Sequence, residues 1–131
     1  MKNNNKTLGN NGENIARLFL ESKGYKIIAQ NYRGNRKEID IIAQKNEYII
    51  FAEVKTRSSV NYGTASESVN ITKQRHIIST AKKFLLYTGN LYADFQPRFD
   101  VIEVYHDKKT QKNYVRHIEC AFITNSENSR G

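Results

Sequence analysis

Two apolar runs, Glu38-Ile39-Asp40-Ile41-Ile42-Ala43-Gln44 and Tyr48-Ile49-Ile50-Phe51-Ala52-Glu53-Val54-Lys55-Thr56-Arg57, stand on either side of Lys45-Asn46-Glu47. Both are rich in Ile, Phe and Val, and a short polar break between such runs marks a β-hairpin. Alternate residues of a strand share a face, so Glu53 and Lys55 point the same way. The direction of Asp40 depends on the loop. A two-residue loop at Lys45-Asn46 pairs Asp40 with Phe51, diagonal to Glu53 on one face. A four-residue loop pairs Asp40 directly with Glu53, again on one face, whereas a three-residue loop separates the two carboxylates. Two of these three registers bring Asp40, Glu53 and Lys55 together.

Outward from the hairpin, the pattern predicts an α/β fold. A helix centred on Glu13 to Ser22 carries Ile15, Leu18, Phe19 and Ser22 at helical spacing, with Gly24 placed for a left-handed C-terminal cap. Tyr25–Ala29 reads as a first strand, and Asn31–Lys37 as a loop with three cations. Ser58 to Ser68 reads as a polar, flexible connection containing Gly63. A second helix is expected from Thr72, as N-cap, to Tyr87, with Ile77, Ala81, Phe84 and Leu85 inward and Gly89 ending it. Arg98–Tyr105 and Tyr114–Phe122 complete a set of five strands, joined by a basic turn. The order is α-β-β-β-α-β-β, a mixed central sheet flanked by helices, read as one domain over 1–131 with polar tails at 1–7 and 124–131.

Composition narrows the function. Lys and Arg number 21 against 13 for Asp and Glu, a net charge of +8. The 21 spread evenly, 11 in residues 1–60 and 10 in residues 61–131, so the whole domain is basic. That balance suits a polyanionic partner, because phosphate neutralisation releases counterions; simple solubility explains the charge about as well. No stretch approaches the ~20 apolar residues of a membrane span, and no segment sets a cationic face against a strongly apolar one. The N-terminus lacks the apolar run of a signal peptide, and the single Cys120 excludes an internal disulfide or a cysteine zinc cage. These features point to the cytoplasm.

Charges inside apolar strands are costly unless partners or a metal compensate them. Asp40 and Glu53 offer hard oxygen ligands for Mg²⁺ or Mn²⁺, with the Val54 carbonyl as a further ligand. A metal there neutralises charge on a phosphate and acidifies water, and Lys55 positions that water or stabilises developing negative charge. The plainer alternative is a salt bridge of Lys55 with Glu53 or Asp40 on a solvated face. On spacing alone that alternative is favoured. Cys120 is expected in the core, Arg98 and Asp100 as a structural ion pair, and His106 and His117 without a metal role.

Asp40 with Glu53-x-Lys55 resembles the PD-(D/E)xK nuclease signature, with Ile39 in place of the proline. The flanking pieces Gly9-x-x-Gly12-Glu13-x-x-Ala16, Asn31-Tyr32-Arg33, Glu38-Ile39-Asp40-Ile41-Ile42, Phe51–Arg57, Gly63, Lys73 and Arg98-Phe99-Asp100-Val101 resemble the YraN family of small bacterial proteins. That family is similar to the archaeal Holliday-junction resolvases. The resemblance implies a restriction-endonuclease-like core and a metal-dependent endonuclease acting on DNA, including branched or structured DNA, with RNA left open. It implies a catalytic set of Asp40, Glu53, Lys55 and Glu13, the last matching a first-helix glutamate of the resolvases; a helix-dipole role for Glu13 weighs about equally. Glu38 shares the face of Asp40, as an outer ligand or, more simply, a solvated strand end. Arg33, Arg36, Lys37, Arg57, Lys73 and Arg75 are the expected phosphate contacts. Resolvases act as two-fold dimers, so a homodimer is an option. A non-catalytic nucleic-acid-binding module keeping the fold is the alternative, and an interaction component of a DNA-processing machine a third reading.

Overall fold

A computed structural model describes residues 4–34, 37–57 and 69–124. Arg36, Gly63 and the 58–68 connection lie outside the described residues. Among the described residues seven elements follow one another as α1 (Asn4–Ser22), β1 (Lys26–Gly34), β2 (Lys37–Lys45), β3 (Tyr48–Arg57), α2 (Ile71–Tyr87), β4 (Gln96–Asp107) and β5 (Lys112–Phe122). The five strands form one sheet in the order β1-β2-β3-β4-β5. Only the β3–β4 pair is parallel, and α2 supplies its crossover. This mixed sheet with two helices has the order the pattern predicts and is consistent with an α/β nuclease-like core.

Among the described residues, each face of the sheet is covered by one helix. On one, Ile42, Ile49, Phe51, Phe99 and Val101 pack against Ile77, Ala81 and Phe84 of α2. On the other, Ile41, Ala43, Ile50, Ala52, Ile102 and Val104 pack against Ala16 and Leu20 of α1. Both faces of β3 are therefore dry, which is why its run is almost continuously apolar. Glu53 and Lys55 continue the Ile49–Phe51 parity and lie on the α2 face.

The hairpin turn has two residues but sits one position later than the two-residue loop considered above. Lys45 pairs with Tyr48, leaving Asn46-Glu47 as the turn, with Asn46 at φ +54°. Asn tolerates that left-handed conformation because its short side chain bonds locally. The ladder from there to Ile41–Ala52 has the register of the four-residue case, so Asp40 falls opposite Glu53.

Other boundaries move for physical reasons. The Asn31–Gly34 stretch is strand and not loop: Tyr32 pairs with Ile39 and Arg33 with Glu38, and an edge strand accepts polar residues. The inward face of α1 is Gly12, Ala16 and Leu20, while Leu18 is 56% exposed. A Cβ on Gly12 would run into Thr56 Oγ1, so the absent side chain lets the helix lie close on β3. α1 ends in a Schellman cap, with Tyr25 N–H bonded to Leu20 C=O at 3.0 Å and Gly24 at φ +94°. Asn70, not Thr72, caps α2, its Oδ1 accepting from Lys73 N–H at 2.9 Å.

Cys120 is exposed, contrary to the core expectation. The β4–β5 register shifts between Phe99 and Val101, and Cys120 sits in that bulge at φ +53°. Its N–H donates to Asp100 Oδ1 at 3.0 Å. Asp100 is fully buried and also accepts from Arg98 through two nitrogens at 2.9 and 2.8 Å. His117 Nε2 lies 2.7 Å from its second oxygen. Burial alone would raise the Asp100 carboxyl, but the His117, Arg98 and Cys120 hydrogen bonds outweigh it and hold the carboxyl below its ordinary value. A second buried acid, Glu103 on β4, lies 3.4 Å from Arg57 Nε and 3.5 Å from Arg116 Nη1, and accepts from Tyr105 O–H at 2.9 Å.

Candidate metal centre

Three elements meet where β2 and β3 leave their shared ladder. β2 contributes Glu38 and Asp40, β3 contributes Glu53, and α1 contributes Glu13. One carboxylate oxygen from each of Glu13, Glu38 and Asp40 lies within 4.8 Å of the others. Glu38, Asp40 and Glu53 line a pocket of about 260 Å³ with Lys37, Lys73, His76 and Ile77. Glu13 reaches this group because Gly12, beside it, lets α1 settle on Thr56. Asn31 Nδ2 donates to Glu13 Oε1 at 3.0 Å and fixes it.

Asp40 is tied to the next strand by its side chain, Oδ2 accepting from Val54 N–H at 2.8 Å. That bond favours the charged carboxylate, yet it is outweighed. Burial first, then the negative charge of Glu53, with smaller contributions from Glu13 and Glu38, push the Asp40 carboxyl up to about 7. The Glu13 carboxyl is also raised, by burial and then by Glu38 and Glu53. Acids so placed repel one another when ionised, and a multivalent cation relieves that repulsion. The donor set is all oxygen, which fits a hard divalent ion.

The lysines divide unequally. Lys73 Nζ lies 2.8 Å from Glu53 Oε2, and Lys55 Nζ lies 3.6 Å from the same oxygen. The Glu53–Lys55 salt bridge is thus present, on a carboxylate only 5% exposed. Of the expected phosphate contacts, Lys37 lines the pocket and Arg33 is exposed, 3.8 Å from Glu38. Arg75 is exposed on α2. Arg57 is committed to buried Glu103, and Lys73 to Glu53. Asn31 and the Lys73–Glu53 contact were not legible in the sequence, since no local spacing relates either pair. Strand parity did place Glu38 beside Asp40.

Among the described residues no helix is long and apolar enough to cross a membrane. Comparison with known proteins gives close relatives across most of the chain. A protein of Caldanaerobacter subterraneus subsp. tengcongensis is 44% identical over 122 residues, covering 92% of this chain and 98% of that one. One from Alkaliphilus oremlandii is 47% identical over 118 residues, covering 90% and 99%. Both bear the name UPF0102 protein. A calcium-bound structure of Pyrococcus furiosus SfsA is a distant likeness, at 15% identity and a TM-score of 0.38, covering 88% of this chain and 63% of that one. The profile of the uncharacterised protein family UPF0102 matches residues 12–104. The chain therefore belongs to UPF0102, the YraN family of the motif reading.

Proposed function

We propose that this protein is a Mg²⁺- or Mn²⁺-dependent endonuclease of the PD-(D/E)xK type, acting on DNA and in particular on branched or structured DNA. The observation that supports it is geometric: one carboxylate oxygen from each of Glu13, Glu38 and Asp40 lies within 4.8 Å of the others, and Glu53 lines the same pocket as Glu38 and Asp40. A fold gains no stability from bringing carboxylates this close together, whereas a hard cation is held by such oxygens. Glu13, Glu38, Asp40 and Glu53 are the residues to hold the ion, and the Val54 carbonyl remains a candidate ligand. When bound, the ion supplies charge neutralisation at the scissile phosphate and a more acidic water.

The chain's own groups have separate tasks. Asp40, anchored by Val54 N–H, keeps a fixed oxygen toward the pocket. Asn31 aims Glu13. Lys55, 29% exposed beside Glu53, stands ready to orient a water or meet negative charge that develops on phosphate oxygens. Lys37, Arg33 and Arg75 present charge toward a nucleic-acid backbone, and the +8 of the chain adds long-range attraction.

The test is cleavage of supercoiled and four-way-junction DNA in Mg²⁺ or Mn²⁺ by wild type, Asp40→Asn and Glu53→Gln, purified identically. Cutting by wild type alone, with DNA affinity kept in the variants, supports the reading. Cutting at wild-type rate by Asp40→Asn refutes it. Salt-dependent DNA binding without cutting by any of the three makes the protein a non-catalytic binding module on a nuclease fold.

A further inference from the structure

Lys73 enters the acidic pocket from a position that helix electrostatics disfavours. It lies in the first turn of α2, where the helix dipole opposes a cation, and no acidic residue in that turn offsets it. Its backbone is pinned by Asn70, while its side chain extends to Glu53 Oε2 at 2.8 Å. The two lysines on that oxygen are unlike. Lys55 projects from the strand next to Glu53 and is 29% exposed, whereas the Lys73 side chain is 46% exposed. A half-exposed ammonium on a four-carbon stem can turn outward with little loss of packing. Glu53 is only 5% exposed, and a carboxylate so placed is costly without a counter-charge beside it.

A divalent ion held by Glu53 and its neighbours would stand beside the Lys73 ammonium if that group stayed. Like charges so close, in a pocket partly shielded from water, repel strongly. One of them must leave, and Lys73 is the one with solvent behind it. Turned outward at the pocket mouth, beside Lys37 and His76, its charge is no longer cancelled and faces an incoming anion. Resting on the metal-dependent reading above, we propose that Lys73 is the resident counter-cation of the pocket, holding Glu53 while no divalent ion is bound, yielding it when one binds, and then contacting a nucleic-acid phosphate. Metal and nucleic acid are thereby coupled through one side chain, and the coupling is reciprocal.

Two measurements on the full chain test this. In calorimetric titration with Mn²⁺, Lys73→Gln should bind the ion about 10-fold tighter than wild type, since a competing charge is gone. Lys73→Arg, which keeps the charge, should bind no tighter than wild type, and Lys73→Met serves as a second neutral variant should Gln disturb folding. DNA affinity is then followed against salt, in Ca²⁺ and in EDTA. The slope of log K should differ between wild type and Lys73→Gln by about 0.9 in Ca²⁺ and by nearly nothing in EDTA. Unchanged or weaker Mn²⁺ binding by both neutral variants overturns the role of Lys73 alone. Equal slope differences with and without the ion also overturn it, since Lys73 would then contact phosphate at all times. Absence of Mn²⁺ binding in wild type and variants alike overturns the metal reading itself, and the displacement with it.

Discussion

Replacing Asp40 by Asn should stabilise this protein at pH 8 and leave it unchanged at pH 4. The Asp40 carboxyl is raised to about 7 in the fold, against about 3.9 in an unfolded chain. With the folded value raised, the stability contribution is fully present below about pH 4 and is lost as pH climbs through 7. Above that the fold carries the whole penalty of an ionised carboxylate among acids. That raised value caps the penalty at about 4 kcal/mol; partial exposure and salt screening reduce it to about 2 kcal/mol. Asn keeps an oxygen for Val54 N–H and carries no charge. The expected rise in Tm at pH 8 is roughly 6–10 °C for a domain of this size. Thermal melts of both proteins in EDTA at pH 4, 6 and 8 read it directly. Saturating Mn²⁺ at pH 8 should then narrow the gap, because the ion stabilises only a fold that binds it. A variant that is less stable than wild type at pH 8, or that gains equally at pH 4, refutes the picture of Asp40 as a strained acid.

Mn²⁺ binding near pH 6.5 should release protons, because ligands must ionise to bind; titration in buffers of different ionisation enthalpy counts them, and none released would leave Asp40 outside the site. Gly12→Ala should push α1 away from Thr56 and weaken Mn²⁺ binding, roughly 10-fold by analogy with the loss of other supporting groups around metals; unchanged affinity would remove Glu13 from the ligand set. Asp100→Asn should cost about 3–5 kcal/mol in urea unfolding, since it leaves Arg98 buried without its counter-charge, while a loss below about 1 kcal/mol would show that the Asp100 network contributes little. Lys55→Ala should lower the cutting rate on the order of 10²–10³-fold with Mn²⁺ affinity kept; parallel loss of both would make Lys55 a structural partner of Glu53.

The hairpin was legible because its information is local. Ile, Phe and Val mark two dry strands, and a period of two carries Glu53 and Lys55 to one face. The α1 face was legible only in part, because bulk was taken as the sign of burial: Ile15 and Phe19 do pack against the core, but Leu18 is exposed. Gly12 and Ala16 are small, and small residues are what allow the backbone to approach β3. Polar Asn31–Gly34 looked like loop because its strand character comes from pairing with β2, which local propensity does not record. Cys120 looked buried by its neighbours, but a bulge answering the needs of Asp100 turns it outward. The Lys73–Glu53 contact joins a helix start to a strand interior, and only the tertiary fold brings them together.

The buried Glu103 and its two arginines bear on how the sheet avoids error. β5 is an edge strand whose residues are mostly exposed, so apolar burial says little about how it should slide along β4. Arg116 lies directly across from Glu103 on β5, and Arg57, two residues beyond its register partner on β3, reaches it from the other side. A slip of one residue on either side would turn a charge to the wrong face and leave Glu103 buried with fewer partners. The misaligned sheet is thereby penalised by several kcal/mol. The trio works as a proofreader of strand alignment, and replacing all three by well-packed apolar residues would keep the sheet stable while allowing β5 to settle in more than one register.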